Sequence, residues 1–208
     1  SCTGLTTVNL AEGVEVLTWG FLQCTALTDI NFPEGVIIGP GAFESCRSLV
    51  RLNIPEGITI ERSAFEDCSG LIELTLPKGI TIDVKAFKNC TSLTKLTLPE
   101  GINVGGGAFE GCSGLTEVNI AKGATVGKWA FQECDALTTL SLPEGIRLEK
   151  TAFAGCSKLK FIIVNTEQPE ELIRIKSMFQ WHQGAHFIQK SVYDQVLCLW
   201  DSAYQKIL

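Results

Sequence analysis

Apolar and polar residues along most of the chain repeat with a fixed spacing of 22 residues. Counted from the cysteine of each unit, apolar residues follow three, six and eight positions later, as at Leu71, Leu74 and Leu76. The last two flank a polar residue, and alternation with a period of two predicts a β-strand with one buried face. A second apolar pair, such as Ile80 and Ile82, predicts another short strand. A fixed period of this length indicates a solenoid, in which each unit forms one coil.

Proline and glycine mark the corners between these strands. Proline follows the first strand in five copies, from Pro33 to Pro143, and ends the strand because it has no N–H to donate. Glycine comes two residues later in seven copies, from Gly13 to Gly145, and permits the positive φ of a tight corner. We expect the remaining stretch, which contains an Ala-Phe pair, to form a helical turn that buries the aromatic ring.

The repeated pattern Ala-Phe-x-x-Cys-x-x-Leu-x-x-Leu-x-Leu-Pro-x-Gly-Ile resembles the leucine-rich repeats of the BspA-like family, a class of bacterial surface proteins and effectors. The resemblance covers residues 2 to about 164. It implies a strand-rich α/β leucine-rich-repeat solenoid, a right-handed superhelix with a parallel sheet on a concave face that serves adhesion or protein binding. We therefore predict about seven and a half repeats in residues 1–164 and a small α/β C-terminal cap in residues 165–208.

The C-terminal segment has the composition expected of such a cap. Pro169 fits the first turn of a helix that Thr166 or Gln168 could cap. A strand is expected at 186–188, and a second helix from about Ser191 to Ile207. The end of a solenoid exposes its core, so a capping element is needed there.

The charge of the chain restricts its partners. A net charge of −6 and a pI near 5.0 argue against a nucleic-acid groove and against an anionic membrane surface. The sequence has no apolar run of the length that spans a bilayer, so we expect no membrane insertion. The position ten residues after each cysteine is largely acidic, which weakly favours basic partners.

Eight of the nine cysteines occupy one column of the repeat. Neighbouring coils rise by about 4.8 Å, which lies within reach of a disulfide. Stacked side chains point the same way, however, whereas a disulfide needs converging Cβ atoms. We therefore expect buried thiols, which favour a reducing compartment, whereas the family resemblance suggests a secreted effector or a cell-surface protein.

The ninth cysteine, Cys198, is the one candidate for a nucleophile. It falls on the polar side of the second predicted helix, with His182 and His186 nearby in sequence. Asp194 and Asp201 flank it and would raise the pKa of its thiol. The two histidines have helical metal spacing, but a glycine lies between them and no third ligand for zinc is evident. We expect no catalytic residue, no metal site and no cofactor, and hence no enzyme.

Two tryptophans share a column in which other copies have glycine, serine, lysine or threonine. A large ring at such a position is expected to be half exposed. Trp19 and Trp129 either mark an interface or lie flat on their neighbours.

The outward positions of the longer strand differ from repeat to repeat, and they are the candidate site. The position five residues after cysteine alternates in charge, and the position seven residues after it carries small polar groups. One interpretation is a solvated ladder that holds the repeats in register, and the other is a polar strip that docks a protein. The predicted site residues are Asp29, Asn31, Arg51, Asn53, Glu73, Thr75, Lys95, Thr97, Glu117 and Asn119.

These observations together predict a non-enzymatic scaffold that binds a protein partner, not nucleic acid, through its concave sheet. The alternative is a targeting or regulatory fragment of a longer bacterial effector whose catalytic part lies outside this chain. We expect a monomer, and the N-terminal edge offers a surface for end-to-end association.

Overall fold

The computed structural model describes residues 2–179, 182 and 184–192. Within them the chain winds into stacked coils, and we number the coils from their cysteines, so that coil 1 begins at Cys2 and coil 2 at Cys24. Each complete coil carries one longer and one shorter strand. The predicted strand-rich solenoid with parallel sheets is confirmed.

The two strands of each coil lie on different sides of the stack. The longer strands, here called leucine strands, are β1 (Thr7–Asn9), β3 (Asp29–Asn31), β5 (Arg51–Asn53), β7 (Glu73–Thr75), β9 (Lys95–Leu98), β11 (Glu117–Ile120), β13 (Thr139–Pro143), β15 (Phe161–Asn165) and β16 (His186–Gln189). The short strands are β2 (Glu15–Val16), β4 (Ile37–Ile38), β6 (Thr59–Ile60), β8 (Thr81–Ile82), β10 (Asn103–Val104), β12 (Thr125–Val126) and β14 (Arg147–Leu148).

All strand pairs are parallel, and equivalent repeat positions face each other. Glu117, for example, pairs with Lys95 on one side and with Thr139 on the other. The short strands form one continuous seven-stranded sheet. The leucine strands form three hydrogen-bonded groups, β1–β3, β5–β7 and β9–β11–β13–β15–β16. The ladder is therefore interrupted between β3 and β5 and between β7 and β9.

A stack of phenylalanine rings runs along the centre of the core. Each ring from Phe21 to Phe153 lies on the equivalent ring of the next coil, with centroids 4.9 to 5.4 Å apart and planes within 7° of parallel. Phe32, which stands where other coils have leucine, isoleucine or valine, packs edge-on against Phe43 and Phe65. The apolar positions predicted from the repeat thus form one continuous core.

The two kinds of corner differ in how well the sequence predicted them. The glycine column has positive φ in all seven copies, between 67° and 78°, as expected. The predicted helical turn before each cysteine is wrong, because the structure has a series of tight turns there. Alternate N–H groups bond to the next coil, as from Phe43 to Ala64 at 2.8 Å, instead of within a helix. This pattern requires left-handed residues, among them Trp19 and Gln23.

The cysteine column is buried from Cys24 to Cys156, as predicted. Six of these thiols donate a hydrogen bond to a phenylalanine carbonyl 25 residues earlier, as from Cys68 to Phe43 at 3.2 Å. Burial raises the pKa of Cys46 to about 12 and raises that of Cys68 well above its usual value. The prediction is wrong for Cys2, which is exposed because no preceding coil of the described chain covers it.

These environments predict the reactivity of the described thiols. A water-soluble thiol reagent should label Cys2 quickly, whereas the seven buried thiols should react only as the solenoid opens. Mass-spectrometric peptide mapping after a short exposure locates the label. Rapid labelling of Cys90 or Cys112 would show that the column is not closed.

The segment after the last cysteine contributes a helix and a strand. Helix α1 (Pro169–Met178) begins with Pro169, as predicted. Its N-cap is Gln168, which makes no capping hydrogen bond with its side chain. The predicted strand is present as β16, which pairs with β15 and so extends the leucine strands. The second predicted helix begins within the described residues, where 190–192 are helical, but the rest of it and Cys198 lie outside them. The division of the chain at residue 164 stays a prediction.

Helix α1 is attached to coil 7 by polar contacts and to the core by apolar ones. Glu171 accepts a hydrogen bond of 2.8 Å from the N–H of Gly145, and Arg174 donates one of 3.1 Å to the carbonyl of Ile146. The two side chains also form an ion pair, and this contact with Arg174 lowers the pKa of Glu171. Ile175 is fully buried, and the ring of Phe179 lies 6.0 Å from that of Phe153 at the end of the stack.

Candidate binding face on the leucine strands

The ten predicted site residues lie on the outward side of β3 to β11, which we call, together with the other leucine strands, the leucine-strand face. Eight of the ten are exposed, and Glu117 and Asn119 are half-buried. They face outward because their neighbours in the strands, such as Leu52 and Leu96, are buried in the core. The structure therefore brings all ten together into two parallel rows.

The charged row forms two ion pairs. Arg51 and Glu73 are 3.1 Å apart, and Lys95 and Glu117 are 3.2 Å apart. Each pair joins two strands of one hydrogen-bonded group, and no described ion pair between residues of the leucine strands themselves crosses an interruption of the ladder. Such exposed pairs contribute about 0–1 kcal/mol to stability. They support a charge ladder that helps to set register, but they leave most of the row open to solvent.

The polar row also contacts one carboxylate of the charged row and stabilises its ionised form. The side-chain amide of Asn119 donates a hydrogen bond of 2.8 Å to the Glu117 carboxylate. This contact, followed by that with Lys95, lowers the pKa of Glu117. Glu117 therefore stays ionised and held in place at neutral pH, whereas Asp29 forms no ion pair within the described chain.

The sequence analysis missed two exposed apolar residues on this face. Val50 and Ile72, four residues after cysteine in coils 3 and 4, have exposed fractions of 39% and 47%. In most other coils this position is threonine, whose hydroxyl bonds to the preceding coil, as from Thr28 to the carbonyl of Thr6 at 3.1 Å. The replacement of threonine by valine and isoleucine in adjacent coils was a signal in the sequence that could have revealed them.

Aromatic residues are exposed at three other places. On the leucine-strand face, the ring of Phe161 lies 6.0 Å from that of His186 in the neighbouring strand. On the side formed by the turns before each cysteine, which we call the turn side, the indole of Trp19 contacts Gly41, where a Cβ would collide with it. Trp19 thus lies against its neighbour but remains 61% exposed, and Trp129 is 51% exposed.

The candidates for chemistry do not converge in the described part of the chain. His182 places Nε2 3.1 Å from the carbonyl of Cys156, whereas His186 lies on β16 beside Phe161. No group of three potential metal ligands is found among the described residues. A groove of about 750 Å³ lies between the short strands and α1, and its lining contains no cysteine, histidine or serine.

A search of the described helices finds none with the length and apolar character needed to cross a bilayer.

Comparison with known proteins decides the family. A family model for the BspA type leucine rich repeat region matches residues 1–93 and 80–180, in six copies. The chain belongs to the BspA-type leucine-rich-repeat family. Members of this family are repeat scaffolds, and the resemblance predicted from the repeat pattern is confirmed.

Two solved structures share the fold of this BspA-type chain. A leucine rich cell surface protein from Faecalibacterium prausnitzii is 28% identical with a TM-score of 0.66, and the match covers 78% of this chain and 48% of that chain. The chain thus spans about half the length of that relative. A leucine rich repeat protein from T. pallidum is 20% identical with a TM-score of 0.50, and the match covers 88% of this chain and 86% of that one. No curated protein matches this chain.

Proposed function

We propose that this BspA-type chain is a non-enzymatic scaffold that binds a protein partner through its leucine-strand face. The observation that carries the proposal is the surface made by coils 2 to 6. There, ungapped rows of polar side chains from Asp29 to Asn119, most of them exposed, lie beside the exposed apolar pair Val50 and Ile72. Protein interfaces usually combine polar side chains with an apolar patch, and this face offers both.

The absence of catalysis belongs to the same proposal. The described column thiols are weak nucleophiles, because burial raises the pKa of Cys46 and Cys68 and only the thiolate reacts. The repeat also contributes equivalent residues to every coil, which suits an extended contact surface better than a single reactive centre.

We propose that the chain acts at the cell surface or as a secreted protein. The relative from Faecalibacterium prausnitzii is a cell surface protein, which supports this location. Buried, stacked thiols are compatible with an oxidising environment, because their side chains do not converge in the geometry of a disulfide. The expectation of a reducing compartment is therefore not needed to explain free cysteines.

A second candidate function is that of a targeting or regulatory part of a longer protein. It is favoured by the match to only 48% of the Faecalibacterium prausnitzii chain, which leaves room for further segments in proteins of this kind. In that case the leucine-strand face would recruit the partner on which another part of the protein acts.

Charge reversal tests the proposed face. The double variant Arg51→Glu/Lys95→Glu should reduce recovery of captured proteins from a host-cell surface extract by about tenfold or more, because both residues lie near the centre of the face. Quantitative mass spectrometry of the captured proteins gives the readout. The swap Arg51→Glu/Glu73→Arg keeps an ion pair and should reduce recovery as well, which separates recognition from folding.

The matched control changes the same amount of charge elsewhere. Arg62→Glu/Lys150→Glu lies on the turn side of the coils and should leave recovery unchanged. If every captured protein responds to this control and none to the two variants of the face, the partner binds the other side of the solenoid and the proposal is wrong.

A further inference from the structure

The net charge of the protein is concentrated in its first three coils. Residues 1–67 contain nine carboxylates and three arginines, so this third of the chain carries the whole net charge of −6. The remaining residues contain fourteen acidic and fourteen basic side chains and are neutral in sum. A partner that contacts coils 1 to 3 therefore meets an acidic surface, whereas one that contacts only the later coils does not.

Part of this charge forms a column at the ends of the leucine strands. Glu12, Glu34 and Glu56 occupy equivalent exposed positions in coils 1, 2 and 3, about 4.8 Å apart from coil to coil. None of them forms an ion pair in the described part of the chain. Stacked like charges repel each other, so a cationic group placed on the column would relieve an unfavourable interaction.

The same column is neutralised further along the solenoid. Lys78 and Lys122 lie 3.9 and 3.5 Å from Glu100, so lysine alternates with glutamate in coils 4 to 6. The repeat can therefore place a lysine at this position, and coils 1 to 3 do not. The open acidic column is a property of these coils and not of the repeat.

An apolar anchor lies at the other end of β5 and of its neighbour β7. Val50 and Ile72 are exposed where most coils have threonine, beside the Arg51–Glu73 ion pair. Glu56 follows Val50 by six positions, roughly 20 Å of extended chain. Between them β5 presents Arg51 and Asn53 to solvent, and the neighbouring β3 presents Asp29 and Asn31.

We propose that this part of the face binds an extended segment of a partner protein that combines lysine or arginine with an aliphatic or aromatic anchor. The anchor packs on Val50 and Ile72, and the cationic side chains lie over Asp29 and the column formed by Glu12, Glu34 and Glu56. The segment runs along the leucine strands, so six or seven extended residues, about 20 Å, suffice. This inference rests on the proposed function and specifies the chemistry of its partner.

Peptide selection on the full chain tests the proposal. Random peptides of about twelve residues are displayed on phage and selected on the immobilised protein, and the selected sequences are synthesised. We expect them to carry net positive charge and at least one large apolar residue. Their affinity, measured by fluorescence polarisation, should fall as NaCl is raised from about 50 to about 500 mM, because salt screens the acidic column.

Two variants address the two parts of the site separately. Val50→Thr/Ile72→Thr restores the threonine that other coils carry, so folding is preserved, and should weaken the peptides by about tenfold. Glu34→Gln/Glu56→Gln removes two charges of the column and should weaken them by about fivefold at low salt and less at high salt. The matched control Glu133→Gln/Glu149→Gln removes two carboxylates from the turn side and should change nothing.

The possible outcomes separate this inference from the function on which it rests. Acidic or neutral peptides, no selected peptide, or peptides indifferent to both variants would each overturn the inference. If acidic or neutral peptides, or peptides indifferent to both variants, are selected and lose affinity for the variant Lys95→Glu/Glu117→Lys, the proposed binding face stands. Only the proposed chemistry of the partner is then wrong. If they respond to the turn-side control alone, both proposals fall.

Discussion

Replacing Phe87 by alanine should cost about 3–5 kcal/mol of unfolding free energy, and we expect a value near the upper end. The ring of Phe87 is fully buried and lies between those of Phe65 and Phe109, at 5.3 and 5.4 Å. The stack is continuous, so the cavity removes contacts from two neighbouring coils at once and the regular backbone offers little room to collapse into it. Urea denaturation of the variant and the parent protein gives the difference.

A second phenylalanine provides the matched control for this change. Phe161 is 39% exposed on the leucine-strand face, so its replacement by alanine should cost about 1 kcal/mol. Equal losses from Phe87→Ala and Phe161→Ala would contradict the assignment of the phenylalanine column as the centre of the core.

Replacing Ile175 by alanine should detach helix α1 while the repeats stay folded. Ile175 is the buried residue of the helix, and truncating a buried isoleucine costs about 2–5 kcal/mol. A ten-residue helix is marginal without such packing, so the cost should appear as local unfolding. Hydrogen exchange resolved by peptide should show lost protection in 169–178 and retained protection in β5 to β11.

The control for this prediction is on the same helix. Ile173 is 67% exposed, so Ile173→Ala should change stability by less than about 0.5 kcal/mol and leave the exchange pattern as it was. Loss of protection throughout the solenoid in Ile175→Ala would mean that α1 and the coils unfold as one unit, contrary to the local character of repeat proteins.

Both stability predictions bear on the binding face. Side chains such as Arg51 and Glu73 are held in position by core residues beneath them, among them Leu52, and by the ladder to the next strand. A core change in one coil should therefore disturb the face nearby more than at distant coils, because each coil contacts only its neighbours. Binding measurements on core variants should therefore compare changes in coils near the binding residues with changes in distant coils.

The sequence by itself determined which residues are inside and which are outside. An unbroken repeat leaves one register, and a slip of one residue would turn every buried leucine of a strand to solvent. Phe87, Cys90 and Leu93 are buried, and Arg51 and Lys95 are exposed, as the repeat predicts. The glycine corners followed as well, because few residues tolerate a positive φ and glycine does so without strain.

Contacts between coils needed the tertiary structure. The charged row alternates evenly, yet Arg51 pairs with Glu73 in its own hydrogen-bonded group and not with Asp29 across the interruption of the ladder. The stretch before each cysteine is predicted as a helical turn, but alternate N–H groups of it bond to the next coil. The choice of ion-pair partner and the hydrogen bonding of the turns both depend on where the neighbouring coil lies, and the local sequence does not encode that position.

The candidate site divides in the same way. The repeat pattern showed that the positions from Asp29 to Asn119 form rows on one face, because alternation along a strand fixes the side on which a residue lies. Only the structure showed that Val50 and Ile72 are exposed beside them, and that Cys2 is not covered. The exposure of a side chain depends on whether a neighbouring coil covers it. It was therefore decided by the packing of the coils and not by the composition of any one repeat.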